Sequence, residues 1–192
     1  MKMYNRVLVP ILFLTIVSGY TCRSEHPADY VDPFICTQGD HGHWLPAALV
    51  PFGLVELCPD TWPGSLTADG DFAHGGYDWS DNHIRGFSHL HRGSSGGTTI
   101  HDRAGLISVL PFAGMPADTF FINPVVPVDK KSEKASAGYY SVYLPQDKVL
   151  AEFSATTRTG IHRYTFDPDQ ESRLFLYEGN RGGTTGISCK IA

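Results

Sequence analysis

The sequence predicts an all-β fold of the antiparallel β-sandwich class. Short strand-like runs follow one another along the chain, separated by many of its twenty glycines and thirteen prolines. Successive short strands of this kind favour a sandwich or a barrel. No segment after the N-terminal leader has a sustained helical period. The predicted strands are 53–58, 84–91, 106–110, 139–144, 149–157, 161–166 and 174–177.

The run 149–157 has the clearest strand periodicity. Val149, Ala151, Phe153 and Ala155 fall on one face, and the residues between them fall on the other. This period of two is typical of a half-buried strand. Residues from about 106 onward therefore have the pattern of plain sheet. Residues 32–105 are rich in Gly, His, Asp and Trp with long irregular connections, where binding sites usually lie.

The N-terminus has the pattern of a signal peptide. Lys2 and Arg6 precede an apolar run at 7–17. That run is shorter than the roughly 20 residues of a membrane-spanning helix and matches a signal-peptide core of about 7 to 15 residues. We expect residues 1–21 to be the signal peptide and 22–192 the mature domain. The protein would then be periplasmic, secreted or, if Cys22 is lipidated, an outer-membrane lipoprotein.

Composition narrows the class of protein further. A net charge of −5 argues against a nucleic-acid partner, which requires a basic face. About 170 mature residues suffice for one domain.

We expect Cys36, Cys58 and Cys189 to be buried small residues, with Cys36 and Cys58 the one pairing to test. The last strand-like run begins at residue 187 and stops, so we expect the fold to be incomplete at its C-terminus.

Seven of the nine histidines lie between His41 and His101, and they include two His-x-His pairs, at 41/43 and 89/91. On a strand, both rings of such a pair project from one face. Three interpretations remain open: a transition-metal site, histidines that bond nearby backbone, and a polar site for hydroxyl groups with tryptophans as platforms. We expect the histidines to bind hydroxyl groups, because no spacing here is diagnostic of a metal.

Two further motifs are weaker. Residues 93–97 match Gly-x-Ser-x-Gly, but that motif needs a strand-to-helix turn, and 98–103 has no helical pattern. Residues 69–71 read Asp-Gly-Asp but are not followed by the ligands of a calcium loop. We expect a loop and a turn at these places.

A longer series of motifs resembles one known family. The segments in order are YVDPFI (30–35), HGH (41–43), VPFG (50–53), PDT (59–61), GY (76–77), SD (80–81), GFSH (86–89) with His91, GYYSV (138–142) and GIHRYTF (160–166). The series resembles the N-terminal domain of glycoside hydrolase family 92, the exported bacterial α-mannosidases. The resemblance runs from about residue 30 to about residue 177.

The resemblance implies a sandwich packed against a C-terminal α/α barrel that is absent from this chain. The barrel would carry the general acid, the general base and an essential calcium ion, and cleavage would invert configuration. The resemblance therefore places no catalytic residue and no metal site in this chain. The sandwich would complete a pocket for mannose-containing glycans. The implied substrate-binding residues are His41, Gly42, His43, Trp62, Asp71, Tyr77, Asp81, His89 and His91.

The chain also departs from the family pattern. Family members usually have glycine where Cys36 and Gln38 stand, and tryptophans where residues 71–74 read Asp-Phe-Ala-His. Linkage specificity therefore does not transfer. The alternative function is a stand-alone carbohydrate-binding or decayed module without catalysis.

Overall fold

The structure is a computed structural model that describes residues 26–38, 44–61, 76–91, 107–122 and 124–177. These residues form two antiparallel sheets, as the sequence predicts. The first sheet has the strand order β1 (Cys58–Thr61), β2 (His83–Ser88), β3 (Ser108–Ala113) and β9 (Ser172–Tyr177), and β4 (Val126–Pro127) also pairs with β2. The second has the order β5 (Asp129–Ser136), β6 (Tyr139–Leu144), β7 (Val149–Ala155) and β8 (Gly160–Thr165).

Helices are short in the described part of the chain. A 3₁₀-helix spans Pro27–Tyr30 and an α-helix, α1, spans Asp118–Ile122. The residues that the structure describes include no helix long and apolar enough to cross a membrane. The predicted signal peptide at 1–21 and the predicted unfinished strand at 187–192 lie outside the described residues.

The apolar core lies between the two sheets. Phe87 of β2 contacts Phe153 of β7 with ring centroids 4.4 Å apart, and Leu110 of β3 is buried in the same cluster. Strand β7 alternates as predicted, with Val149, Ala151, Phe153 and Ala155 buried. Burying a side chain the size of phenylalanine contributes about 1.5–3 kcal/mol. The side chains that interlock between the two inner faces therefore determine how the two sheets pack against each other.

Tight turns set the register of the second sheet. Ser136 pairs with Tyr139 across the two-residue turn 137–138, and Gly138 has φ 77°. Two-residue hairpin turns need positive φ, which glycine adopts without strain. Strands β6, β7 and β8 then pair without interruption.

Several sequence predictions need correction. Only Cys58 of the predicted strand 53–58 lies in a strand, and Phe52 before it has φ 59°. The charged strand β5 was not predicted, because only Glu133 of its residues is buried and no apolar alternation marks it.

The cysteines are also only partly as expected. Cys58 is buried as predicted, whereas Cys36 is exposed, and both are free thiols. Cys36 has φ 61°, a conformation that favours glycine. This is the position where the resemblance leads us to expect glycine.

Candidate functional site

Four of the nine predicted substrate-binding residues are described: Tyr77, Asp81, His89 and His91. The other five, His41, Gly42, His43, Trp62 and Asp71, lie outside the described residues. The structure does not bring the four together at one open surface. Tyr77 and Asp81 precede β2 in the chain and His89 and His91 follow it, each in a different polar environment.

Tyr77 lies in a buried polar cluster. Its hydroxyl is 3.0 Å from Oε2 of Glu133 and accepts a hydrogen bond from Nζ of Lys130 at 2.9 Å. Nζ of Lys130 also pairs with Oε2 of Glu133 at 2.7 Å and lies 4.6 Å from the centroid of the Tyr77 ring. Burial, and then the charge of Glu133, raise the pKa of Tyr77 well above its usual value. The phenol is therefore a buried donor to a carboxylate, and no part of it is exposed in this structure.

Asp81 joins the end of β1 to the turn before β2. Its Oδ2 accepts a 2.6 Å hydrogen bond from Oγ1 of Thr61. The same Thr61 oxygen accepts from the backbone N–H of Asp78 at 3.1 Å. Asp78 in turn accepts bonds from the N–H and the hydroxyl of Ser80. These bonds fix the turn, and Asp81 remains half-buried at its edge.

His91 is buried under the first sheet. Its Nδ1 lies 2.8 Å from the carbonyl oxygen of Glu56 and therefore donates to it. Its Nε2 lies 3.2 Å from Oδ1 of Asp60 and 3.2 Å from Oγ of Ser88. Burial acts to lower the pKa of His91, but the hydrogen bond and the charge of Asp60 outweigh burial and the pKa is raised. The imidazole is thus favoured as a cation beside Asp60.

This grouping of Ser88, His91 and Asp60 does not have the geometry of a serine nucleophile site. In such a site the carboxylate orients one ring nitrogen while the other activates the serine. Here both Asp60 and Ser88 face Nε2, and Ser88 is fully buried. The Gly-x-Ser-x-Gly sequence at 93–97 lies outside the described residues.

His89 is the one predicted binding residue that lines a described cavity. The cavity has a volume of about 470 Å³, and its lining residues are Leu54, Val55, His89, Leu90, Ile107, Arg158, Thr159 and Gly160. Four of these eight residues have large apolar side chains, and His89, Arg158 and Thr159 are polar. Such a combination suits a ligand that has both apolar and polar faces.

A second histidine, His162 of β8, meets His89 beside this cavity. The two Nε2 atoms are 3.1 Å apart, and Nδ1 of His162 is 2.7 Å from the hydroxyl of Tyr164. Burial lowers the pKa of both imidazoles, and the pKa of His162 falls to about 4. The charge of His91 also lowers the pKa of His89, and the charge of His89 lowers that of His162. Both rings are therefore neutral at neutral pH.

Carboxylates are scarce at the described cavities. The cavity beside His89 has none in its lining, and a second cavity of about 250 Å³ on the outer face of the second sheet has only Glu152. Among the described residues, no group of three or more His, Cys, Asp or Glu side chains could bind a metal ion.

Comparison with known proteins identifies the family. The chain matches the Glycosyl hydrolase family 92 N-terminal domain over residues 30–190. That match covers most of the sequence. The chain belongs to glycoside hydrolase family 92.

Solved and curated relatives are much longer than this chain. A family 92 α-mannosidase from Bacteroides thetaiotaomicron, solved with mannoimidazole, is 26% identical with a TM-score of 0.65, over 80% of this chain and 20% of that one. An inverting family 92 mannosidase from the same organism is 25% identical with a TM-score of 0.62, at the same coverages. An uncharacterized secreted glycosidase from Arthroderma benhamiae is 26% identical over 71% of this chain and 17% of its own. The chain thus spans about one fifth of these relatives.

Sequence reasoning missed four residues of the polar clusters in this family 92 domain. Glu133 and Lys130 lie on the unpredicted strand β5, so no pattern brought them near Tyr77. Asp60 was noted only as part of a motif. His162 belongs to the motif at 160–166, and its alternation on β8 could have indicated that it points toward the first sheet.

Proposed function

We propose that this chain is the N-terminal, substrate-pocket domain of an exported, calcium-dependent, inverting α-mannosidase that acts on mannose-containing glycans. One observation carries the proposal: a family 92 domain match over residues 30–190 in a chain that spans about one fifth of solved mannosidases. A relative solved with mannoimidazole supports mannose as the sugar. A relative named as a secreted glycosidase supports export.

The proposal assigns the catalytic centre to the barrel that the family resemblance implies. Glycosidic cleavage with inversion requires two carboxyl groups about 6.5–9.5 Å apart across the sugar. The two described cavities have one carboxylate between them, Glu152, and its oxygens bond Arg163 and Tyr139. In this proposal the acid, the base and the calcium ion belong to a barrel domain.

An activity assay tests the placement of the chemistry. We expect the 192-residue chain to show no turnover of an activated α-mannoside in calcium-containing buffer. Size-exclusion chromatography should show association, because the exposed side chains of Trp44, Phe52 and Leu54 form the kind of surface that another domain covers. Turnover that Asp81→Asn abolishes would mean that the chemistry lies in this domain, and a stable monomer would mean that the sandwich is self-sufficient.

Two observations separate this proposal from the stand-alone binding module. The reading frame after the codon for Ala192 should continue for several hundred codons if a barrel follows, whereas an immediate stop favours the binding module. In an enzyme that includes the barrel, His43→Ala and His89→Ala should weaken substrate binding without unfolding the protein, since each imidazole–hydroxyl bond is worth about 0.5–1.5 kcal/mol.

A separate experiment tests export. N-terminal sequencing of the exported protein should begin near Tyr20 or be blocked at a lipidated Cys22.

A further inference from the structure

The pair formed by His89 and His162 has a geometry that suits a shared metal ion. The two Nε2 atoms are 3.1 Å apart and the two ring centroids are 4.7 Å apart. Two imidazoles in an end-to-end hydrogen bond of the same N···N length would place their centroids about 5.4 Å apart, since such bonds prefer a straight arrangement. The observed centroids are closer, so the two rings are bent out of that straight arrangement.

The two distances are compatible with the dimensions of a metal–imidazole bond. With each Nε2 about 2.05 Å from one ion, a separation of 3.1 Å corresponds to an N–metal–N angle of about 98°. Rings that both point at such an ion have centroids about 4.8 Å apart, which follows from the same bond length. The observed 4.7 Å agrees with this value. An angle of this size lies between the square-planar and the tetrahedral arrangement.

The surroundings of the pair hold both rings in place. The hydroxyl of Tyr164 bonds Nδ1 of His162 at 2.7 Å, and the backbone of Gly160 hydrogen-bonds His89. A Cβ at position 160 would lie 2.4 Å from Cδ2 of the His89 ring, so the ring occupies the space that any side chain there would fill. The Tyr164 bond is on the second ring nitrogen of His162, where partners orient metal-binding histidines.

The proton between the two rings would have to move. Neutral imidazole is the form that binds metals. Binding would move the proton that lies between the two Nε2 atoms to an Nδ1. Each ring keeps one proton, so no net proton is released.

We propose that His89 and His162 form a two-imidazole site for a divalent transition-metal ion beside the cavity that His89 lines. Calcium prefers oxygen ligands, whereas imidazole nitrogens favour zinc, nickel and, most strongly, copper. The described residues supply no third ligand, so water or a ligand in the cavity completes the coordination, and binding is weaker than in a three- or four-ligand site. This site departs from our sequence expectation that the histidines bind only hydroxyl groups, and it does not depend on the proposed function.

Titration of the chelator-treated protein with Cu²⁺, without sugar, tests the site. We expect His89→Gln and His162→Gln each to lose one equivalent of bound copper or to bind it at least tenfold more weakly. His83 serves as the matched control, because its ring bonds Asn82 instead of another histidine, and His83→Gln should leave binding unchanged. Tyr164→Phe should keep the stoichiometry but lower the affinity about 10- to 100-fold, the usual effect of losing an outer partner.

A measurement on the unsubstituted protein covers the case in which a variant fails to fold. On addition of Zn²⁺, the ring resonances of His89 and His162 should shift together in an NMR spectrum, before those of His83. The proposal is overturned if those two resonances do not move, or if folded His89→Gln and His162→Gln proteins bind copper with the parent's stoichiometry and affinity.

Discussion

The two sheets of this sandwich are built in different ways. Strands β5 to β8 follow one another in sequence and pair through turns of two to four residues. The first sheet assembles distant segments: β3 pairs with β9, so that Ser108 lies opposite Tyr177. The first sheet also buries Ser88, Ser108 and His91 around Asp60, whereas the inner face of β7 is entirely apolar.

The part of the core beside β7 is held by apolar packing, whereas the part around Asp60 is held by buried hydrogen bonds. The inner face of β7 is stabilised by apolar burial, whereas Glu133 of β5 and His162 of β8 bring bonded polar groups into the second sheet. A sheet that buries hydrogen-bonded polar groups is costly unless every group has a partner. The residues of such a sheet, and the loops that begin at the ends of its strands, can therefore be substituted less freely.

The largest expected effect on stability comes from removing a buried ring between the two sheets. Phe153→Ala removes a buried ring that contacts Phe87, Tyr140 and Tyr164, and we expect it to lower the unfolding free energy by about 3–5 kcal/mol. The control is Ile161→Ala on the exposed face of β8, where the side chain is 55% exposed. Chemical denaturation of both variants measures the difference. Equal losses would mean that the second sheet does not form the core.

The next effect tests the buried polar cluster around Glu133. Glu133→Gln removes the charge that Lys130, Tyr77 and Tyr140 all bond. We expect a loss of about 1–3 kcal/mol in denaturation experiments, because buried polar partners would be left poorly satisfied. Tyr140→Phe combined with Glu133→Gln should cost less than the sum of the two single changes. Additive losses would contradict a connected cluster.

How much of this architecture the sequence predicts depends on the kind of pattern. The alternation in 149–157 predicted β7 and its buried face. Where one face of a strand is buried, apolar residues occupy every second position, and this pattern is visible in the sequence. Strand β5 carries no such signal, since its one buried residue, Glu133, is charged. The partners of His91 and His89 are separated from them by 31 and 73 residues, and no local pattern encodes pairs so distant. The strand pattern and the family resemblance predicted the fold, but the surroundings of each predicted site residue came only from the structure.

A smaller effect tests the network under the first sheet. The hydroxyl of Ser108 donates a long bond of 3.4 Å to Oδ2 of Asp60, so Ser108→Ala should cost about 0.5–1.5 kcal/mol. The control is Ser154→Ala in the second sheet, whose exposed hydroxyl donates to the carbonyl of Gly138 and where water can replace the bond. Thermal unfolding compares them. An equal shift in Tm would mean that the first sheet is no more constrained than the second.

The smallest effect belongs to the outer face of the second sheet. Glu152 accepts two bonds from Arg163, at 2.7 Å and 2.6 Å, and one from Tyr139. The bond from Arg163 is the main reason that the pKa of Glu152 lies below its usual value. A lowered carboxyl pKa gives stability that is present above the unfolded-state pKa of about 4.3 and is lost as the pH falls through the folded-state value. Because the Arg163 side chain is 71% exposed, solvent screens the pair, and exposed pairs contribute little. We therefore expect Arg163→Gln to leave the unfolding midpoint at pH 7 unchanged, while the pKa of Glu152, followed by NMR titration, rises toward its ordinary value. A large loss of stability at pH 7 would show that this face is not the solvent-exposed scaffold that the comparison of the two sheets requires.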